Sequence, residues 1–256
     1  FVHDFNENKV YCFDKNGKFL NPIGKRGQGP GEYIRVSGIY ADDTSRECFL
    51  MEPFLNRINV YDYNGTFKRV IHVKSAPDRM IKLGDNYLLN HTLMNANKYE
   101  LTMINPQGKT IRQSNREGNV KVGLLLWPPF FYSLEGNIYY KNYLSEDIYC
   151  IDKNLNRKKI YMIDLGNKKI NSEEEQYDLV KGDRTKGKIV VCTLSAYRDY
   201  LFIPYADSKN RYFAVYNKTN KKLFTPGLNA KSGFIDDLTN GPLVNIPYSS
   251  YLITSL

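Results

Sequence analysis

Phe49-Leu50-Met51-Glu52-Pro53-Phe54-Leu55-Asn56-Arg57-Ile58-Asn59-Val60-Tyr61-Asp62-Tyr63-Asn64-Gly65 is matched without a gap by Phe1 to Gly17 and again by Tyr139 to Leu155. In each copy an apolar pair opens the stretch, a polar turn follows, and an alternating apolar run ends on Asp. Such alternation marks strands with one face on a core. Asn16-Gly17 and Asn64-Gly65 read as type I′ hairpin turns, which need positive φ at both central positions. Gln107-Gly108 is a weaker counterpart. Self-similarity at ~40–50 residues in a strand-rich chain is the signature of propeller blades.

Working outward, Gly38–Ala41, Cys48–Met51, Asn56–Tyr61 and Phe67–Val73 supply four strands for the best-defined blade. Second strands recur at Phe1-Val2, Phe49-Leu50, Tyr87–Leu89, Tyr139-Tyr140, Leu201–Ile203 and Tyr251–Ile253, which predicts six blades. Third strands recur five times, at Val10–Phe13, Ile58–Tyr61, Leu101–Ile104, Ile148–Ile151 and Phe213–Tyr216. The expectation is an all-β fold: one six-bladed β-propeller of four-stranded antiparallel blades over residues 1–256, with the terminal blades incomplete. A polar stretch at about 166–188 interrupts the pattern; Ser172 followed by Glu175 is a capping-box signature and predicts a short helix over 173–181.

The chain has 256 residues, 42% hydrophobic and 25% charged, with 21 tyrosines. That composition excludes a disordered chain, and tyrosine suits half-buried pleated surfaces. The net charge of +9 is dispersed in short groups such as Arg157-Lys158-Lys159 and Lys221-Lys222, not gathered into a basic stripe, so nucleic acid is not the expected partner. Cys12 and Cys150 occupy equivalent positions in separate repeats, and no cysteine pair has zinc-ligand spacing. The four cysteines read as small buried hydrophobes. No apolar run reaches the ~20 residues that span a bilayer. The chain starts inside a repeat without Met, which leads us to expect a piece of a longer precursor whose targeting signal, or a lipid anchor, precedes residue 1.

Gly24-Lys25-Arg26-Gly27-Gln28-Gly29-Pro30-Gly31-Glu32-Tyr33 lacks the closing Gly-Lys-Ser/Thr of a phosphate-binding loop and reads as a tight connection between blades. That loop, with Gly38–Asp42, Phe49–Glu52, Asn56–Tyr61 and Asn64-Gly65, resembles an NHL-type repeat. More narrowly, the chain resembles the six-bladed propellers found among exported proteins and lipoproteins of gut bacteria, with Gly233–Asp237 to Gly241-Pro242 as a second mark. The resemblance implies export to the periplasm or cell surface and carries over no catalytic residues. Arg57 matches the arginine of the repeat, whereas its counterparts are Lys9 and Asp147, so a symmetric ring of ligands is absent.

Ligand-contact candidates are Trp127 beside Pro128-Pro129, Tyr132 in an aromatic cluster, Arg57, and His3 and His91 near second-strand ends. Tryptophan and tyrosine offer contact area with a polar handle. Three scattered histidines do not make a metal site, and no cofactor is expected. The resulting expectation is a non-enzymatic binding module for a glycan, peptide or protein at one face or the channel mouth. A propeller lyase or hydrolase with a channel site is the alternative, and a nucleic-acid-binding propeller the second.

Overall fold

The computed structural model describes residues 1–91, 99–115, 130–134, 136–141, 146–169, 188–191, 194–207 and 211–225. Its sheets are antiparallel meanders. The first joins β1 (Val2–Asp4), β2 (Lys9–Phe13) and β3 (Phe19–Pro22). A connection containing the short parallel pair β4 (Lys25–Arg26) and β5 (Glu32–Tyr33) leads to the second sheet, β6 (Gly38–Asp42), β7 (Glu47–Glu52), β8 (Arg57–Asp62) and β9 (Phe67–His72). The third is β10 (Pro77–Leu83), β11 (Asn86–His91), β12 (Tyr99–Ile104) and β13 (Thr110–Asn115). The fourth is β14 (Phe130–Leu134), β15 (Asn137–Lys141), β16 (Asp147–Ile151) and β17 (Arg157–Met162). In the fifth, β18 (Val190–Val191) and β19 (Ser195–Tyr197) pair with successive parts of β20 (Tyr200–Ala206), which continues to β21 (Arg211–Asn217) and β22 (Leu223–Phe224).

The architecture is an all-β propeller of four-stranded antiparallel blades, and it shows five blades among the described residues in place of the six expected. The expected sixth second strand, Tyr251–Ile253, lies outside the described residues, as does the helix expected over 173–181. An apolar triplet alone does not define a blade. The hairpin between third and fourth strands does, and it occurs five times among the described residues. In each, a side-chain oxygen at the end of the third strand accepts backbone N–H bonds from the turn: Asp14, Asp62, Asn105, Asp152 and Asn217. These Asx-supported turns also correct the type I′ expectation. Gly65 has φ +83 while Asn64 is not in the positive region, and the register slips between Val60 and Tyr61. Asx capping and one left-handed glycine are enough to close the turn. The first sheet has three strands among the described residues.

The chain forms two compact units, 1–125 with 152–156, and 126–151 with 157–256. In the first unit, β7 is buried on both sides, which explains its unbroken apolar run. Cys48 and Leu50 join Val10, Cys12, Ile23, Tyr33 and Tyr61, while Phe49 and Met51 join Ile58, Met80, Tyr87 and Leu89. Cys12, Cys48 and Cys150 are free thiols, and burial pushes Cys48 up to about 12, as befits an inert core residue. In the second unit Tyr132, Ile148, Leu201, Ile203 and Ala214 form the core between the fourth and fifth sheets. No helix among the described residues is long and apolar enough to cross a membrane.

Candidate functional site

The turn from β1 to β2, the connection from β3 to β6, the turn from β7 to β8 and the connection from β9 to β10 all leave from one end of the first three sheets. The sequence loads this end with charge: Asp4, Lys9, Lys25, Arg26, Glu32, Arg35, Glu52, Arg57, Lys74, Asp78 and Arg79. Several of these groups hold the connection from Gly24 to Ser37 in place. Glu52 is fully buried and accepts from Arg57 Nε at 2.6 Å and from the Ile34 N–H at 2.6 Å. Arg57 Nη2 and Asn59 Nδ2 both donate to the Glu32 carbonyl, and the Tyr61 hydroxyl donates to the Gly31 carbonyl at 2.9 Å. Gly29 N–H donates to the Glu32 carboxylate, which Lys25 also faces at 3.1 Å, and these contacts hold that carboxyl below its usual range. The glycine-rich loop is therefore a fastened connection, with the Gly31 and Glu32 carbonyls consumed by the blade beneath it.

That fastening has a consequence at Arg35. Ile34 N–H is held by Glu52, the Ile34 carbonyl accepts from Asn8 Nδ2 at 2.8 Å, and Val36 N–H donates to Asn8 Oδ1 at 3.0 Å. The backbone is thus clamped on both sides of Arg35, whose exposed guanidinium makes no hydrogen bond or ion pair among the described residues. Arg79 lies nearby and donates Nη1 to the Ser37 carbonyl at 2.9 Å. Both guanidinium groups act electrostatically on His3. Both ring nitrogens of His3 are buried, and neither reaches a partner in hydrogen-bond geometry among the described residues; the Asn8 side chain beside the ring is spent on Ile34 and Val36. Burial is the main cause that lowers the His3 pKa; the Asn8 side chain and Asp4 oppose this, while Arg79 and Arg35 reinforce it. The Phe5 ring packs 4.1 Å from that of His3, centroid to centroid, and is 65% exposed.

Asp78 completes the group. The pairing of β10 with β11 steps from Pro77–His91 to Arg79–Asn90, which leaves Asp78 as the extra residue of a β-bulge. Bulges re-aim side chains and recur beside functional sites. Asp78 is 9% exposed, and burial raises its pKa, with Arg79 partly opposing. The fit around it is close: a methyl group at Gly38 would strike the Asp78 carbonyl oxygen and the Arg79 guanidinium. A folded-state pKa above the ordinary 3.8 means that Asp78 favours folding fully below that value, and that this contribution is lost as the pH rises through the folded pKa. Above the unfolded pKa, the cost of burying the ionised carboxylate opposes folding. Asp78→Asn is expected to raise the Tm at pH 7 by about 2–4 °C per kcal/mol recovered, the gain vanishing below the unfolded pKa. Thermal denaturation of both proteins from pH 3 to pH 8 checks this.

Of the residues singled out in the sequence, His3 is in this cluster, and Arg57 supports it through Glu52. His91 is buried in the third sheet, its ring nitrogens facing the Thr102 hydroxyl at 2.7 Å, the Ser75 hydroxyl at 3.1 Å and the Ala76 carbonyl at 3.3 Å. It fastens the connection from β9 to β10. Tyr132 belongs to the core of the other unit, 8% exposed and stacked on Tyr139 at 4.7 Å. Trp127 lies outside the described residues. Sequence reasoning missed Arg35, Asp78 and Arg79. Arg35 has as its signal only charge beside the predicted strand Gly38–Ala41, and Asp78 and Arg79 fall where no strand is predicted.

Solved structures share this fold at low sequence identity. A protein described as exported, from Bacteroides fragilis NCTC 9343, is 18% identical with a TM-score of 0.70; the match covers 87% of this chain and 66% of that one. This chain thus spans about two thirds of that protein's length. A member of the DUF4221 family from Bacteroides vulgatus is 9% identical with a TM-score of 0.57, covering 85% of this chain and 80% of that one. A catalytically inactive virginiamycin B lyase from Staphylococcus aureus, solved with quinupristin, is 14% identical with a TM-score of 0.52, covering 86% and 63%. No curated protein matches the sequence. The NHL-type resemblance finds no family match; over residues 1–254 the chain matches the domain of unknown function DUF4934, and it belongs to that family.

Proposed function

We propose that this chain is an exported, non-enzymatic binding module, periplasmic or cell-surface, that holds its ligand on the face built by Phe5, His3, Arg35, Asp78 and Arg79. One observation carries the reading: a guanidinium without a partner among the described residues, Arg35, is displayed from a backbone clamped by Glu52 and Asn8. A backbone fixed before the ligand arrives loses no further entropy on binding, so clamping of this kind favours recognition. The unpartnered nitrogens of His3 and the buried carboxyl of Asp78 support the same reading, because buried polar groups are normally satisfied. The exported B. fragilis relative supports a location outside the cytoplasm. A glycan, peptide or protein fits a face of this kind.

The test is a thermal-shift screen against oligosaccharides, peptides, divalent metals and short RNA, run in parallel on the wild type and Arg35→Ala. Ligand at 100 times its Kd adds about 2.7 kcal/mol. For a chain of this size that is about 5–10 °C. A shift in the wild type that Arg35→Ala removes is the expected result. Shifts that are identical in the two proteins would overturn the assignment of this face.

A further inference from the structure

From the binding reading above, on which this step rests, we infer that the ligand of the His3–Arg35–Arg79 face is a saccharide unit bearing a carboxylate, a hexuronic acid residue. Four features converge on that chemistry. Arg35 offers a complete guanidinium fork, and Arg79 commits only Nη1 to the Ser37 and Asp78 carbonyls. Planar forks match carboxylates in bidentate geometry. His3 presents two buried ring nitrogens without partners, and Asp78 a carboxyl that is nine-tenths buried and lacks a hydrogen bond among the described residues. Sugar hydroxyls both donate and accept, so they satisfy a histidine and a carboxyl at one site. Phe5, against His3 and 65% exposed, offers an apolar ring of the size of a pyranose face.

Other occupants fit less well. A neutral sugar or neutral peptide would leave Arg35 unpaired. An acidic peptide would pair Arg35 but brings no set of hydroxyls for His3 and Asp78. A polyphosphate would need cations beyond Arg35 and Arg79, and Lys9 and Lys25 are already paired with Glu7 and Glu32. Nucleic acid needs a run of free cations along its backbone.

Isothermal titration with oligogalacturonate, oligomannuronate, methyl-esterified oligogalacturonate, maltooligosaccharide and polyglutamate tests the inference. At least one uronate should bind, with the esterified and neutral sugars and polyglutamate weaker by about tenfold or more. Hydrogen bonds to charged groups predict a loss of about 10–100-fold in Arg35→Ala. The exposed Arg35 side chain holds no hydrogen bond of the fold, so that variant folds as the wild type does; Arg79→Lys, which keeps the charge and loses the fork, should weaken uronate binding without loss of fold. A carboxylate placed between Arg35 and Arg79 would also offset their effect on His3, so its imidazole pKa, followed by NMR, should rise on binding. Equal binding of the esterified sugar or of polyglutamate overturns the inference. So does failure of both uronates. If both fail while another ligand loses its thermal shift in Arg35→Ala, the uronate falls and the binding face stands. If no ligand depends on Arg35, both fall.

Discussion

Glu52→Ala is expected to lower the Tm by about 6–20 °C and to abolish ligand binding at the Arg35 face. Glu52 is fully buried, and its oxygens take the Arg57 guanidinium and the Ile34 N–H at 2.6 Å each. Removing one partner of a buried ion pair costs about 3–5 kcal/mol, because the remaining charge is left without compensation. A kcal/mol is worth about 2–4 °C in a chain of this size. Arg57 would be left with the Glu32 carbonyl, and Ile34 N–H would lose its acceptor at the residue before Arg35. The loss of binding therefore follows from the loss of the clamp, without any direct contact between Glu52 and ligand. Glu52→Gln keeps an acceptor for Ile34 N–H while removing the charge. It should be destabilised yet retain more binding than the alanine variant. Thermal denaturation and ligand titration of the two variants separate the charge from the clamp.

How much of this was legible in the sequence differs between scaffold and site. The blades were, apart from their number, since each third strand ends on an Asp or Asn whose side chain closes the next turn, and a strand covered on both faces must be apolar throughout, as Cys48 to Met51 is. Turn type was not, because Asn-Gly suits a type I′ turn as well as the Asx-supported turn at Asp62. The site was hardly legible at all. Arg35 matters because Asn8 and Glu52 hold its neighbours, and those partners come from 26 and 18 residues away from Ile34. Asp78 matters because of a bulge, which breaks the alternation on which strand reading depends. Arg57, prominent as the repeat's arginine, spends its donors on Glu52 and Glu32. His3 stands out through its place near a strand end, and only the structure shows its nitrogens without partners.

Phe49→Ala should destabilise as strongly as Glu52→Ala and leave binding nearly intact. The Phe49 side chain is fully buried between the second and third sheets, with its ring 5.1 Å from that of Tyr87 and 6.0 Å from that of Tyr40. Truncating a buried phenylalanine costs about 3–5 kcal/mol, the lost transfer energy plus the cavity left behind. The Tm should again fall by about 6–20 °C. The cavity would open beside Met51, Met80 and Leu89, and flexible methionines can partly fill it. None of the bonds that clamp Ile34 and Val36 passes through Phe49. Below the melting range, then, Phe49→Ala should bind ligand within a few-fold of the wild type, while Glu52→Ala does not. Equal loss of binding in both variants would mean that affinity follows global stability, and that the clamp around Arg35 has no separate role. Retention in Phe49→Ala alone would tie recognition to the fastened connection, because the two proteins would share a stability and differ in the one feature that displays the arginine.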